Sequence, residues 1–502
     1  MKKFATILAA AFLAACSAAT TTPTPATQPL RFLLINDVYF GDTLRDGSGG
    51  LARVVSLRDS LATTGPVTFV LAGDFLSPSL LTKWYRGEQM RQQLNAAKLD
   101  YATFGNHEFE IDRDTLISRI ANSTFKWTNA NCFLRPSGQQ FPGVSRWDTT
   151  TISGVKVGVF GVTLAGDYRS WARCSNPDSA AKVVVAELKN AGAQLIYGLT
   201  HQNLDADSAL LAREPDVAFV LGGHEHENHR VLIGGRRLLK ADANSRSAQL
   251  LTVRRGPDGG WVQGDQLINI DRRLPFEPAT QAVVRQWVDS MVKRIGPDRV
   301  IATTQVALDA RDEVNRSRES PLGDIVTDAV RLGTGADVAI MNSGTMRLDD
   351  VIPAGPISNY QVQSIFLFPD ESRMMTFPLT GARLREVLEH GVSRSSVGRG
   401  PYLQVSGIKF TWDASKPDGQ RIVGDVMRTD GSVIKPTDTV RVSFGVYPAC
   451  EGGDGYVIPE AKSACDNRMQ APPAVDLVLK HITERLGGRV PPPEAGRVTR
   501  IN

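Results

Sequence analysis

The chain has 502 residues, 42% of them hydrophobic and 22% charged, with a formal net charge of only +4. That length exceeds one ordinary core and points to two or three domains. A net charge so small, with no block rich in Lys and Arg, gives composition no case for a nucleic-acid polymer as partner, and the apolar content excludes a disordered chain.

The first sixteen residues, MKKFATILAAAFLAAC, join two lysines to an apolar stretch and a run of small residues. This is the pattern of an export signal, and its apolar part is too short to remain as a membrane-spanning helix. The ending LAAC resembles a bacterial lipobox, which predicts lipidation at Cys16, a periplasmic or cell-surface location and membrane attachment through that lipid. Residues 17–29, which include TTTPTPATQP, then read as a stiff, extended tether. An oxidising compartment permits disulfides. Cys450 and Cys465 flank one short loop and read as a pair, which leaves Cys132 and Cys174 for each other; four separate buried thiols are the alternative.

From residue 30 onward apolar, strand-like runs alternate with helical ones: LRFLLIND, GGLARVVSLRDSLA, VTFVLAGDF, EQMRQQLNAAKL and YATFGNHEFE. The alternation continues through KVGVFGVT, AAKVVVAELKNAG, LIYGLTHQN and VAFVLGGHEHE, and it predicts a layered α/β domain over 30–273 that closes with AQLLTVRR and the hairpin-like WVQGDQLINI. Residues 274–298 hold a Pro-containing break and an amphipathic connecting helix ending near Gly296, and a second α/β unit fills 299–502.

In the first domain, acids, amides and histidines recur directly after the apolar strands: Asp37, Asp74, Asn106 with His107, His201, and His224 with His226. Carboxyl ends of strands in open α/β sheets converge on one crevice, so these residues can meet. Carboxylates, imidazoles and an amide oxygen suit a pair of divalent ions, and a shared carboxylate can hold two such ions at the roughly 3.5–4 Å used to hydrolyse phosphate esters.

GDF, GNHEFE, LTH and GGHEH resemble the calcineurin-like metallophosphoesterase signature. The chain as a whole resembles the bacterial 5′-nucleotidase, UDP-sugar hydrolase and 2′,3′-cyclic-nucleotide phosphodiesterase family. In the second domain the resemblance rests on ESPLGDIVTDAV, MNSGTMR and GGDGY. It implies an α/β/β/α sandwich followed by a 5′-nucleotidase-type substrate domain. It also implies two divalent ions (Mn, Zn, Co or Fe), bridged by Asp74, with Asp37 and His226 on one and Asn106, His201 and His224 on the other. His107 would contact the phosphoryl group or protonate the leaving oxygen, oriented by Glu110, which stands where the family has an aspartate.

Tyr39 stands where the family's D-x-H motif has a metal-binding histidine, and a neutral phenol is a poor ligand. It can line the site, ligate as a phenolate, or mark an impaired first site. In the second domain the resemblance assigns Arg316 and Arg347 to phosphate or ribose, Asn342 and Asp454 to base and sugar, and Phe368 to one side of the base. The second ring is left among the neighbourhood of Pro448, Tyr447 and Tyr456. The implied activity is release of phosphate from nucleoside 5′-monophosphates by in-line attack of a metal-bound hydroxide. The alternatives are action on 2′,3′-cyclic nucleotides (with 3′-nucleotidase activity) or UDP-sugars, and a decayed surface binding protein.

Overall fold

The computed structural model describes residues 28–368 and 370–502. The leader expected from the sequence, its Cys16 and the tether up to residue 27 lie outside the described residues.

Two sheets packed face to face form the N-terminal half. Leu30–Ile35 sits inside a seven-stranded sheet, antiparallel to Ser247–Arg255 and parallel to Val67–Leu71. The parallel run continues through Tyr101–Ala102, Lys126–Thr128 and Val144–Ser145. In the second, six-stranded sheet, Leu195–His201 runs parallel to both Val155–Thr163 and Val217–Gly223.

The strand sequences explain the layering. Phe32 and Leu34 point between the sheets into a core shared with Val157, Leu199 and the stacked rings of Tyr197 and Phe219. Leu33 and Ile35 point the other way, into a core with Val54 and Leu94 from helices Leu51–Ala62 and Glu88–Ala96. With both faces covered, LRFLLI reads as an almost continuous apolar run, and each fully buried Phe or Leu stabilises the domain by roughly 1.5–3 kcal/mol. Helices Pro177–Asn190 and Leu204–Arg213 cover the outside of the second sheet with Val184, Leu188 and Leu210. The result is the helix–sheet–sheet–helix sandwich the sequence predicts.

Near the ends of their strands the two sheets approach closely. The amide of Ala130 donates to the carbonyl of Gly161 at 2.8 Å, and a Cβ on Gly161 would lie 1.9 Å from the carbonyl oxygen of Thr128.

Helix Pro278–Ile295 follows, its first N–H groups capped by the Glu277 carboxylate and its end set by Gly296 at φ 74°. It does not stand free: Trp287 and Met291 pack with Leu81 of the first half. The second half is built on a four-stranded sheet that includes Val338–Asn342 and Thr439–Gly445, with helices Pro321–Thr334 and Gly381–Gly391 among those that enclose its cores. Both expected disulfides are present: Cys132 and Cys174 face each other on paired strands, and Cys450–Cys465 closes the loop behind residues 446–450.

Gly161→Ala is expected to lower the stability of the first half by about 1–3 kcal/mol, because the opposing atom is backbone and cannot swing aside. Urea unfolding followed by tryptophan fluorescence measures it.

Candidate active site

Six side chains leave the carboxyl ends of parallel strands and meet between the sheets. Asp37 follows Leu30–Ile35, Asp74 follows Val67–Leu71, Asn106 follows Tyr101–Ala102, His201 ends Leu195–His201, and His224 and His226 follow Val217–Gly223. Four of them hold a left-handed backbone: Asp37 (φ 53°), Asp74 (φ 56°), His224 (φ 96°) and His226 (φ 62°). Such strain at a non-glycine residue persists only where surrounding structure enforces it, and it clusters at functional sites. Gly105 makes room for this packing, since a Cβ there would fall 1.9 Å from Asp74 Oδ1.

The donor set fits divalent ions. Asp37, Asp74 and His201 are buried and offer ligand atoms within 4.8 Å of one another. Asp37 Oδ1, Asn106 Oδ1 and His201 Nε2 are buried without a hydrogen-bond partner, although His201 Nε2 lies 3.1 Å from Asp74 Oδ2. A buried polar atom without a partner is costly, and an ion removes that cost. The other nitrogen of His201 lies 2.8 Å from the Ala72 carbonyl, which accepts its proton and turns Nε2 towards the carboxylates. Burial disfavours charge on His201, yet Asp74 and Asp37 push it up to about 10, so without metal this ring carries a proton where a cation is wanted. Burial and the neighbouring His201 push His224 down to about 3, leaving it neutral as a ligand must be.

Tyr39 reaches the same centre. Its hydroxyl is 3.0 Å from His226 Nε2 and 3.3 Å from Asp74 Oδ2. Burial and then the charges of Asp74 and Asp37 raise the phenol well above its ordinary value, so it stands there as a neutral hydroxyl.

His107 lies beside the metal-binding carboxylate, its backbone N–H donating to Asp74 Oδ1 at 2.8 Å. Its Nδ1 is 2.7 Å from Glu110 Oε1, so the longer glutamate arm closes the dyad where an aspartate was anticipated. Ser77 and the Arg347 guanidinium also bind Glu110; against the cost of burial, Arg347 and His107 hold its carboxyl down at about 2.

A cavity of about 250 Å³ opens next to His107 between the two halves of the chain. Arg316, Arg347, Phe368 and Asp454 line it from the second half, as does Tyr447; Phe109 and Tyr168 line it from the first half. Tyr456 is instead buried, its hydroxyl on the Pro401 carbonyl, and Pro448 is buried in its short helix. The Arg347 guanidinium lies 5.2 Å from the Phe368 ring centre, and Arg316 pairs with Asp312. Asn342 does not line the cavity; its amide donates to Asp454 Oδ2 at 2.7 Å and holds that carboxylate at the wall.

Three supporting residues escaped the sequence reading. Glu108 is buried and accepts from the N–H groups of Asp74, Phe75, Leu76 and Gly105, which ties two ligand loops together. It lies within GNHEFE, directly after His107, so the motif itself carried the signal. Lys240 is buried under the His224 loop and binds Asp207, Glu225 and the carbonyls of Gln202 and Gly223. Asp349 of the second half places Oδ2 3.1 Å from His226 Nδ1, a contact no local pattern announces.

Comparison with known proteins agrees with this geometry. The calcineurin-like phosphoesterase family matches residues 30–228, and the 5′-nucleotidase C-terminal domain matches residues 300–460. The chain belongs to the 5′-nucleotidase family of calcineurin-like phosphoesterases. The calcineurin-like phosphoesterase family implies divalent metals. The trifunctional nucleotide phosphoesterase YfkN of Bacillus subtilis is 25% identical over 92% of this chain, but the match spans only 35% of that protein. The human 5′-nucleotidase is 24% identical over 86% of this chain and 85% of its own. A 5′-nucleotidase precursor structure from Thermus thermophilus shares the fold with a TM-score of 0.77, at 23% identity over 94% of this chain and 99% of that one. The sulfate thiohydrolase SoxB of Thermus thermophilus does so with a TM-score of 0.71, at 15% identity over 96% and 98%.

Glu108→Gln is expected to destabilise the family's metal-binding domain by about 3 kcal/mol, since its amide NH₂ would face backbone donors and leave some of them unpaired. Calorimetric melting of the metal-free protein, where no ion masks the loss, tests this.

Proposed function

We propose that this 5′-nucleotidase family member is an exported hydrolase that releases phosphate from nucleoside 5′-monophosphates at a centre of two divalent ions, Mn, Zn, Co or Fe. The observation that carries the reading is the buried, unpaired ligand atoms of Asp37 and Asn106 with the buried Asp74 and His201, next to a cavity with an aromatic ring from each of two second-domain segments.

Asp37, Asp74 and His226 would hold one ion, and Asp74, Asn106, His201 and His224 the other. The ions would neutralise phosphoryl charge and acidify water. The remaining work falls to the chain. Arg316 and Arg347 bind phosphate or ribose oxygens, for which a planar, permanently charged fork is suited. Phe368 and Tyr447 stack on the base, a contact that every base can make through its flat face. Asp454, held by Asn342, accepts from sugar hydroxyls. His107, with Nδ1 on Glu110, holds a proton at Nε2 for the departing oxygen.

Export is supported by the leader composition and by the two disulfides, which suit an oxidising compartment. The lipid on Cys16 would then attach the protein to a membrane. A second substrate reading, 2′,3′-cyclic nucleotides or UDP-sugars, draws support from the trifunctional name of YfkN. A surface binding protein would need neither the ions nor the His107–Glu110 pair.

The test is phosphate release from 5′-AMP, with formation of UMP and glucose 1-phosphate from UDP-glucose and of 3′-AMP from 2′,3′-cyclic AMP followed alongside, by protein stripped of metal and then given Mn²⁺. Release from 5′-AMP only after Mn²⁺ is added is the expected result; metal-independent release, or no product from any of the three, overturns the reading. His107→Ala is expected to lower kcat by about 10²–10⁴-fold. Phe368→Ala is expected to raise KM roughly tenfold while sparing kcat, as the loss of one stacking face requires.

A further inference from the structure

We propose that Asp349, on the second domain, is a positioning residue for the metal ligand His226, so that one of the two ions is bound by a site that spans both domains. The inference rests on the two-ion reading above and adds to it a residue from outside the sandwich.

Two of the three imidazoles assigned to the ions, His201 and His226, are oriented by different parts of the chain. His201 is turned by the Ala72 carbonyl, within the same sandwich. His226 finds no such carbonyl: its Nδ1 faces Asp349 Oδ2 at 3.1 Å, while its Nε2 lies 3.5 Å from Asp37 Oδ1. A carboxylate on one ring nitrogen fixes the proton there and leaves the other nitrogen free and more basic for a cation. Asp349 is itself held for this task. Its backbone is left-handed at φ 42°, and its Oδ1 accepts the Asp312 N–H at 2.8 Å.

The position of Tyr39 makes the contact matter more. With a tyrosine rather than a histidine at position 39, its hydroxyl 3.0 Å from His226 Nε2, the imidazole and carboxylate donors left for that ion are Asp37, Asp74 and His226. His226 is the one whose donor strength a neighbour can set, and the neighbour is Asp349. Two positions before it, Arg347 binds Glu110, so one short segment of the second domain supports both the metal ligand and the acid–base pair.

The experiment is calorimetric titration of metal-stripped full-length protein with Mn²⁺, comparing wild type, Asp349→Ala, Asp349→Asn and, as reference for the affected ion, His226→Ala. The expected result is two ions in wild type, with Asp349→Ala weakening one of them by about 10–100-fold and leaving the other unchanged. Asp349→Asn, which keeps the shape and an acceptor but not the charge, falls between. Both ions bound as in wild type by Asp349→Ala, or both weakened equally, overturns the inference and leaves the hydrolase reading standing. Wild type that takes up no Mn²⁺ overturns both.

Discussion

Two carboxylates that water cannot reach govern this molecule. Asp37 and Asp74 are 0% and 1% exposed, with ligand atoms that lie within 4.8 Å of a common histidine and of each other. At an effective dielectric of about 20, two such charges repel by about 3 kcal/mol. Local structure absorbs part of this: the His224 N–H and the Asn36 amide bind Asp37, and the His107 N–H binds Asp74. His201 supplies a positive charge where no ion is present. The sandwich is thus a device for holding negative charge dry until a cation arrives. Its parallel strands, largely apolar on both faces, end together where these polar side chains gather.

The supports show how far such a site extends beyond its ligands. Glu108 gathers four N–H groups from two ligand loops, and Lys240 neutralises Asp207 and Glu225 beneath a third. Neither faces the cavity. Removing one partner of the buried Lys240 pairs would leave an uncompensated charge, and removing the Glu108 carboxylate would leave backbone donors unpaired, so both residues support the loops that carry the ligands.

The layers and the first-domain cluster were legible because they depend on local signals. Apolar runs of strand length mark the sheets, and an acid or histidine directly after such a run can only lie at a strand end. Both disulfides were legible from loop closure and elimination. What was not legible depends on which distant segments meet. Nothing near Asp349 distinguishes it from Asp350 beside it; only the packing of one half on the other brings it to His226. Tyr447 and Tyr456 likewise differ only in which side of a short loop they fall on, and the core claimed Tyr456. Glu110 was the opposite case: one methylene longer than the anticipated aspartate, it still meets His107 because Ser77 and Arg347 fix its far end.

Tyr39 joins these threads. Its hydroxyl lies between Asp74 and His226 and, being neutral, adds no charge to the pair of carboxylates. A histidine there would make the first ion's site complete within the sandwich. In the two-ion reading a tyrosine gives that site one nitrogen donor fewer, and the shortfall would transfer weight to His226, whose Nδ1 edge faces Asp349 of the second domain. Under the function proposed above, with substrate recognised by one domain and reacted by the other, this dependence would have a use: the ion would be held most firmly when the domain carrying Arg347 and Phe368 is in place, which is also when a nucleotide would be held against His107.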